Sequence, residues 1–329
     1  MRILVLGGTV FVGHAVAAAA LERGHEVVCA ARGASGDVPD GAELVVVDRA
    51  EGLGALAGER FDAVVDVARN YQWVREALDA LGDAGHWTFV STINVYSDNK
   101  TTGQNAGGAL LAPITDSADT STPESYGGIK VACENAVRAA MGDRAFVVRP
   151  GLITGPHDPT DRFGYWPLRL SRGGRVLVPD TPGAPVQHID VRDLATWIVT
   201  AAERGLAGTF DGVGPVSTLG ALLAEVAALV APPGTEIAAV APDALDEAGV
   251  QRWSGPKSLP LWIPDDYEGL ASHDAAPSLA AGLRVRPLAD TVSAALATER
   301  ALGADRARKA GLTAAEEAEL LGTLPSRPW

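Results

Sequence analysis

Short apolar runs recur through the first half of the chain, RILVL, HEVVCAA, AELVVVD, FDAVVDVA, HWTFVST and RAFVVRP, separated by helix-length stretches such as the alanine-rich VGHAVAAAALERG. Continuous apolar runs read as strands buried on both faces, and helix-length connections between them require parallel pairing through right-handed crossovers. The pattern therefore predicts an α/β fold of Rossmann type, a doubly wound parallel sheet. After about Gly155 the rhythm breaks into proline, glycine and aromatic residues (GPHDPTDRFGYWP), and a strand-helix unit, VQHIDVRDLATWIVTAAERG, then interrupts a mixed second half. This interleaving predicts a dinucleotide-binding domain over residues 1–155, with a return segment at about 186–215. Residues 156–185 and 216–329 would form a smaller lobe that closes over the C-terminal edge of the sheet.

Composition narrows the partners. The 329 residues are 47% hydrophobic, enough for a full core, and the formal charge is −14 with a pI near 4.8. That charge repels phosphate backbones and anionic membranes, so neither nucleic acid nor membrane is an expected partner and a small-molecule substrate is. MRILVLGG is already a strand and a turn, which gives the expectation of a cytoplasmic protein. Cys29 falls in an apolar strand and Cys133 in an alanine-rich helix, positions suited to small buried thiols, and no spacing suggests a metal site.

LGGTVFVGH, residues 6–14, is almost a nucleotide-binding loop. Gly7 suits the tight turn after the first strand, and Gly13 suits a helix position where a side chain would collide with the sheet. Val10 stands where a middle glycine normally lets backbone approach a pyrophosphate. The contact would then pass to the N–H groups of Thr9, Phe11 and Val12 at the helix start, unless the loop is a ligand-free strand-helix turn. The second strand ends in Ala31 and Arg32, without the acid that would bind a ribose 2′-hydroxyl; a guanidinium there suits a 2′-phosphate, with Ser35 as a candidate helper. NADP(H) is favoured, with NAD(H) the alternative. Asp48 and Arg49 follow the third strand near the expected adenine position.

Two later stretches carry the chemistry, FVSTINVYSD and ESYGGIK. Tyr126 and Lys130 lie four apart, on one face of a predicted helix, and Thr92 ends the strand before it. With the glycine loop, the RPxxxxGP segment from Arg149 to Pro156 and the IDVRDLA segment from Ile189 to Ala195, the sequence resembles the extended short-chain dehydrogenase/reductases, the NAD-dependent epimerase/dehydratase family. The resemblance covers nearly the whole chain. It implies that Tyr126 is the general acid or base at the substrate oxygen and that Thr92 hydrogen-bonds the same oxygen. Lys130 would bind the nicotinamide ribose and lower the tyrosine pKa. Further cofactor contacts are implied at Ala68 and Pro150, and a homodimer is suggested.

Departures from the family pattern bear on the substrate. Dehydratases of the family carry Asp-Glu after the catalytic threonine; Ile93 and Asn94 stand here, which argues against elimination of water. Leu152 and Val186 occupy places where sugar-nucleotide members carry an asparagine and an arginine, so a less charged substrate is expected. Tyr71, His157, Arg162, Trp166, Gln187 and His188 are the candidate substrate contacts, each with a packing role as its alternative; Trp253 and Trp262 read as lobe core that could also line its mouth. The reading is an oxidoreductase interconverting a secondary alcohol and a ketone on a non-nucleotide small molecule. A sugar epimerase retaining its cofactor uses the same three residues, and a non-catalytic dinucleotide-sensing or RNA-binding protein is the alternative from another class.

Overall fold

The computed structural model of the chain describes residues 1–116 and 122–329. Its elements in chain order begin with β1 (Arg2–Leu6), α1 (Phe11–Glu22), β2 (Glu26–Ala31), β3 (Glu43–Val46), β4 (Ala63–Asp66), α2 (Tyr71–Leu81), β5 (His86–Val90), α3 (Pro123–Met141) and β6 (Ala145–Pro150). They continue with β7 (Leu152–Thr154), α4 (Arg162–Ser171), β8 (Arg175–Pro179), β9 (Pro185–Val186), β10 (His188–Asp190), α5 (Val191–Arg204) and β11 (Gly208–Gly212).

Seven strands form one parallel sheet in the order β11-β6-β5-β4-β1-β2-β3. The order reverses at β1, whose Leu6 is paired with Ala30 on one side and Asp66 on the other. The crevice beyond the C-terminal ends of β1 and β4 is thus the topological switch point, where ligands of such sheets bind. Strand alternation fills both faces. Leu4, Val28, Val64, Trp87 and Val147 pack with Val74, Leu78, Ile129 and Val137 of α2 and α3. Ile3, Val5, Val27, Val65 and Phe146 pack with Val16, Ala20, Leu194, Trp197 and Ile198 of α1 and α5. Every one of these is buried, which explains why the strands carry unbroken apolar runs.

The IDVRDLA segment has a local structural cause. Asp190 caps α5, its side chain accepting from the N–H of Arg192 at 2.9 Å, and Gly205 ends the helix at φ 61°. This helix then delivers β11 to the edge of the sheet beside β6.

The smaller lobe has a core of its own, with Phe163, Tyr165, Trp166, Val176, Val178, Leu219, Leu223, Val240 and Trp262. Its sheet pairs β8 in parallel with Glu236–Val240, which pairs antiparallel with Arg327–Pro328. Leu279, Ala281 and Leu283 pack instead on the α1 and α5 side of the large sheet. Among the described residues no helix is long and apolar enough to cross a membrane.

Candidate active site

The loop from β1 to α1 is shaped by close approach. Gly7 has φ 102°, a conformation that L side chains rarely adopt. A Cβ on Gly13 would lie 2.1 Å from the Gly7 carbonyl oxygen, so the collision expected with the sheet is with the loop's own backbone. Val10 is the N-cap of α1 and is 44% exposed, with no side-chain cap and no acidic residue in the first turn. The N–H groups of Gly13 and His14 turn back to the Val10 carbonyl at 3.1 and 3.4 Å. Those of Phe11 and Val12 remain at the positive end of the helix, a donor set that fits a pyrophosphate. Thr9 is buried beneath, with the 33–36 loop against its carbonyl.

Arg32 follows β2, exposed and in no ion pair among the described residues. Arg49 is differently placed. Its guanidinium pairs with Asp66, which is fully buried at the end of β4, and also donates to the Trp73 carbonyl. The expected adenine contact at Arg49 is therefore corrected: its Nη groups are engaged in holding the loop after β3 to β4. Asp48 binds its own turn, accepting from the N–H of Ala50 at 3.0 Å.

Thr92 caps a short turn, Ile93–Val95, accepting from the Asn94 N–H at 3.2 Å. Opposite it, α3 starts at the N-cap Thr122, in a reciprocal box with Ser125. A Cβ at Gly127 would lie 2.1 Å from the Asn94 carbonyl oxygen, so this glycine is what lets α3 lie against the turn and bring Tyr126 to Thr92. Burial raises the phenol's pKa, while the Arg69 guanidinium and a hydrogen bond from Thr92 lower it. Arg69 lies 5.7 Å from the Tyr126 ring centroid.

One turn on, Lys130 is buried and its Nζ donates to the carbonyls of Ala68 and Val90 at 2.7 and 2.6 Å. The ammonium sits 4.5 Å from the Phe89 ring centroid, and burial brings its pKa down to about 8. Two carbonyls leave the ammonium one further donor, a fit for a ribose hydroxyl at the crevice. Arg69, beside the ring, is a cation that acts on the phenol in this geometry. Sequence reasoning missed Arg69; the available signal was a cation directly after the apolar run of β4. Ala68 and Pro150, both buried, end the runs of β4 and β6 at the same edge.

The substrate candidates separate into two groups. Trp166 is 1% exposed and its Nε1 donates to the Pro260 carbonyl at 2.8 Å, which makes it lobe core and corrects the expectation of a substrate contact. Gln187 is corrected in the same way: it is 4% exposed, donates to the carbonyls of Gly214 and His273 and accepts from the His273 N–H. Tyr71 opens α2, its ring packed on the sheet core and its hydroxyl accepting from Arg75. His157, Arg162 and His188 gather around the β7 end. The His157 ring lies 6.2 Å from that of His14, and His188 stacks 5.2 Å from Phe163 and contacts the Thr154 hydroxyl at 3.2 Å. Burial lowers the pKa of His188 to about 4, so the ring is neutral at physiological pH.

Beneath the site runs a buried polar chain that sequence reading also missed. Glu134, one turn beyond Lys130, accepts from Ser91 and from Nε and Nη2 of Arg149. Arg149 donates to Tyr96, Tyr96 to Asp211, and Asp211 meets His273 Nδ1 at 2.8 Å. Burial alone would raise the Glu134 carboxyl, but the Arg149 guanidinium reverses this and holds it below its ordinary value. The chain ties α3 to β6, β11 and the 262–275 segment.

With this geometry in view, the comparisons with known proteins are informative. A 2'-dehydrokanamycin reductase of Streptomyces kanamyceticus is 32% identical over 160 residues, spanning 46% of this chain and 43% of that relative. The fold matches the Bordetella bronchiseptica enzyme WbmH, solved with NAD+, at TM-score 0.62 and 21% identity over 92% of this chain and 99% of that one. It matches UDP-glucuronic acid 4-epimerase of Bacillus cereus, solved with NAD, at TM-score 0.62 and 15% identity over the same shares. The family model for the NAD dependent epimerase/dehydratase family covers residues 3–210. By that match the chain belongs to the NAD dependent epimerase/dehydratase family, whose members are NAD-dependent enzymes.

Proposed function

We propose that the protein is an NADP(H)-preferring reductase that interconverts a secondary alcohol and a ketone on a non-nucleotide small molecule. The observation that carries this reading is the placement of Tyr126 on α3 against the turn that Thr92 caps, allowed by Gly127, one helical turn before a Lys130 whose ammonium is fixed by two carbonyls. A bound nicotinamide supplies the hydride. Tyr126 delivers the proton to the carbonyl oxygen of the substrate, Thr92 orients that oxygen, and Lys130 holds the ribose edge. Burial raises the phenol's pKa, and the Arg69 cation offsets part of that rise. Arg32 supports the choice of NADP(H), because its free guanidinium can grip a 2′-phosphate where no acid stands.

Leu152 and Val186 are 5% and 3% exposed, apolar and part of the lobe core, which supports a substrate without a nucleoside diphosphate. The similarity to a 2'-dehydrokanamycin reductase supports a glycoside ketone as the first substrate to try. Incubation of 2'-dehydrokanamycin with NADPH should consume one NADPH per alcohol formed. Isomerisation of a sugar with no net change in cofactor would show an epimerase instead, and inertness toward ketones and sugars alike, with tight nucleotide binding, would show a sensor.

A further inference from the structure

The segment between β7 and α4 holds an acid and a base that do not satisfy one another. Asp158 Oδ1 accepts from the N–H and the hydroxyl of Thr160 at 2.8 and 2.6 Å, which fixes the carboxylate. Its Oδ2 is buried and has no partner among the described residues. Arg162, the first residue of α4, stacks 4.8 Å from the Trp253 ring centroid, and its Nε is likewise buried and unpartnered. Asp158 and Arg162 are close enough for each to favour the other's charge, yet they form no ion pair. Buried donors and acceptors are normally satisfied, and an opposed pair left apart suits a ligand that bridges it. His157 against His14 sets this segment over the start of α1, and Phe163 against His188 sets it beside β10. Trp253 itself is held at φ 70°, a strained conformation of the kind that concentrates at ligand sites.

We propose that Asp158, Arg162 and Trp253 form the anchoring subsite for the substrate, and that it takes a saturated ring bearing an amine beside a hydroxyl. The amine, as an ammonium, donates to Asp158 Oδ2, and the hydroxyl accepts from Arg162 Nε. The indole gives the C–H side of the ring an apolar wall. A phosphate is a poor occupant, since the fixed carboxylate would face it. Burial raises the pKa of the Asp158 carboxyl, and an ammonium in contact would restore its charged form. This inference deepens the reductase reading and rests on it for the direction of the ring toward Tyr126.

The test is binding, which is separable from turnover. D-glucosamine, N-acetyl-D-glucosamine and D-glucose are titrated into the full chain saturated with NADP(H) and followed by saturation-transfer NMR. Glucosamine should bind at least about tenfold more tightly than N-acetylglucosamine. Asp158→Asn should bring that ratio to near one while glucose binding stays within about twofold, and Arg162→Met should weaken all three by about tenfold. Both variants should keep their NADPH affinity. Asp158→Ser, which preserves the turn with Thr160, serves if Asp158→Asn does not fold, and loss of NADPH binding in both would make Asp158 structural and overturn the proposal. Equal affinities for the three sugars, no binding of glucosamine, or an intact ratio in Asp158→Asn would overturn it too. A dead Tyr126→Phe enzyme, or failure to reduce any ketone, leaves this binding order unchanged and falls on the reductase reading alone.

Discussion

The dinucleotide-binding half and the smaller lobe are held together by different means. In the first, both faces of a parallel sheet are sealed by aliphatic side chains and the strands keep regular register. In the lobe, strands are only two to five residues long and buried charges pair across large sequence separations, as Asp161 does with Arg306 and Glu317 with Arg169. Backbone strain divides the same way. Of the seven non-glycine residues with positive φ among the described residues, only Phe11 belongs to the dinucleotide half; His157, Asp161, Trp253, Lys257, Leu261 and Asp266 lie in segments of the lobe or its border. Each such residue costs on the order of 1 kcal/mol. On the proposed reading, the half that meets a constant cofactor relies on regular secondary structure, and the lobe that meets a particular substrate holds unusual conformations in place with charge.

That contrast can be broken at its sharpest point by removing the phenol. Tyr126→Phe should lower turnover by about 10²- to 10⁴-fold with NADPH affinity unchanged, because the hydroxyl acts on substrate and not on cofactor. Undiminished turnover would remove the catalytic assignment. In the dinucleotide half, Gly13→Ala should weaken NADPH binding by about 100-fold or more in a fluorescence titration, since its methyl group meets the Gly7 carbonyl. Val10→Gly should bind as well as the parent, because the valine side chain is exposed and caps nothing. Arg32→Ala should erase a preference for NADPH over NADH of about tenfold, near 1.4 kcal/mol; equal affinities in the parent would refute that specificity.

The smallest effect sharpens the comparison by asking which cation sets the phenol. Arg69→Met takes away a positive charge that lowers the Tyr126 pKa, so that pKa should rise, by a small amount given the exposure of the guanidinium. Alcohol oxidation, which needs the phenolate, should then reach its plateau at higher pH, and ketone reduction should persist to higher pH. An unmoved profile would return the role to Lys130. Arg69→Lys should restore most of the shift.

Legibility in the sequence follows the same boundary. Of the strands from β1 to β6, all but the exposed edge strand β3 are readable because burial on both faces forces uninterrupted apolar runs, and Thr92, Tyr126 and Lys130 are readable because helical spacing places two of them on one face. Trp166 and Gln187 looked like pocket residues because a polar or aromatic side chain in a proline- and glycine-rich stretch has no visible local partner. Their partners, Pro260 and His273, lie 94 and 86 residues away. Arg49 was misplaced for a similar reason, since Asp66, its partner, belongs to the next strand rather than to its own. Asp158 could not be distinguished from an ordinary turn former until its second oxygen was found buried without a partner.

The position of β11 carries a consequence for the growing chain. β6 gains this neighbour only when residues 208–212 have been made, well after its own 145–150. Until then a strand apolar but for Arg149 presents an unpaired row of backbone groups, the kind of edge through which nascent chains pair with one another. A fragment ending near residue 155 would carry that edge permanently and should associate through it. In the complete fold α5 packs against α1 and places β11 beside β6, which closes that edge.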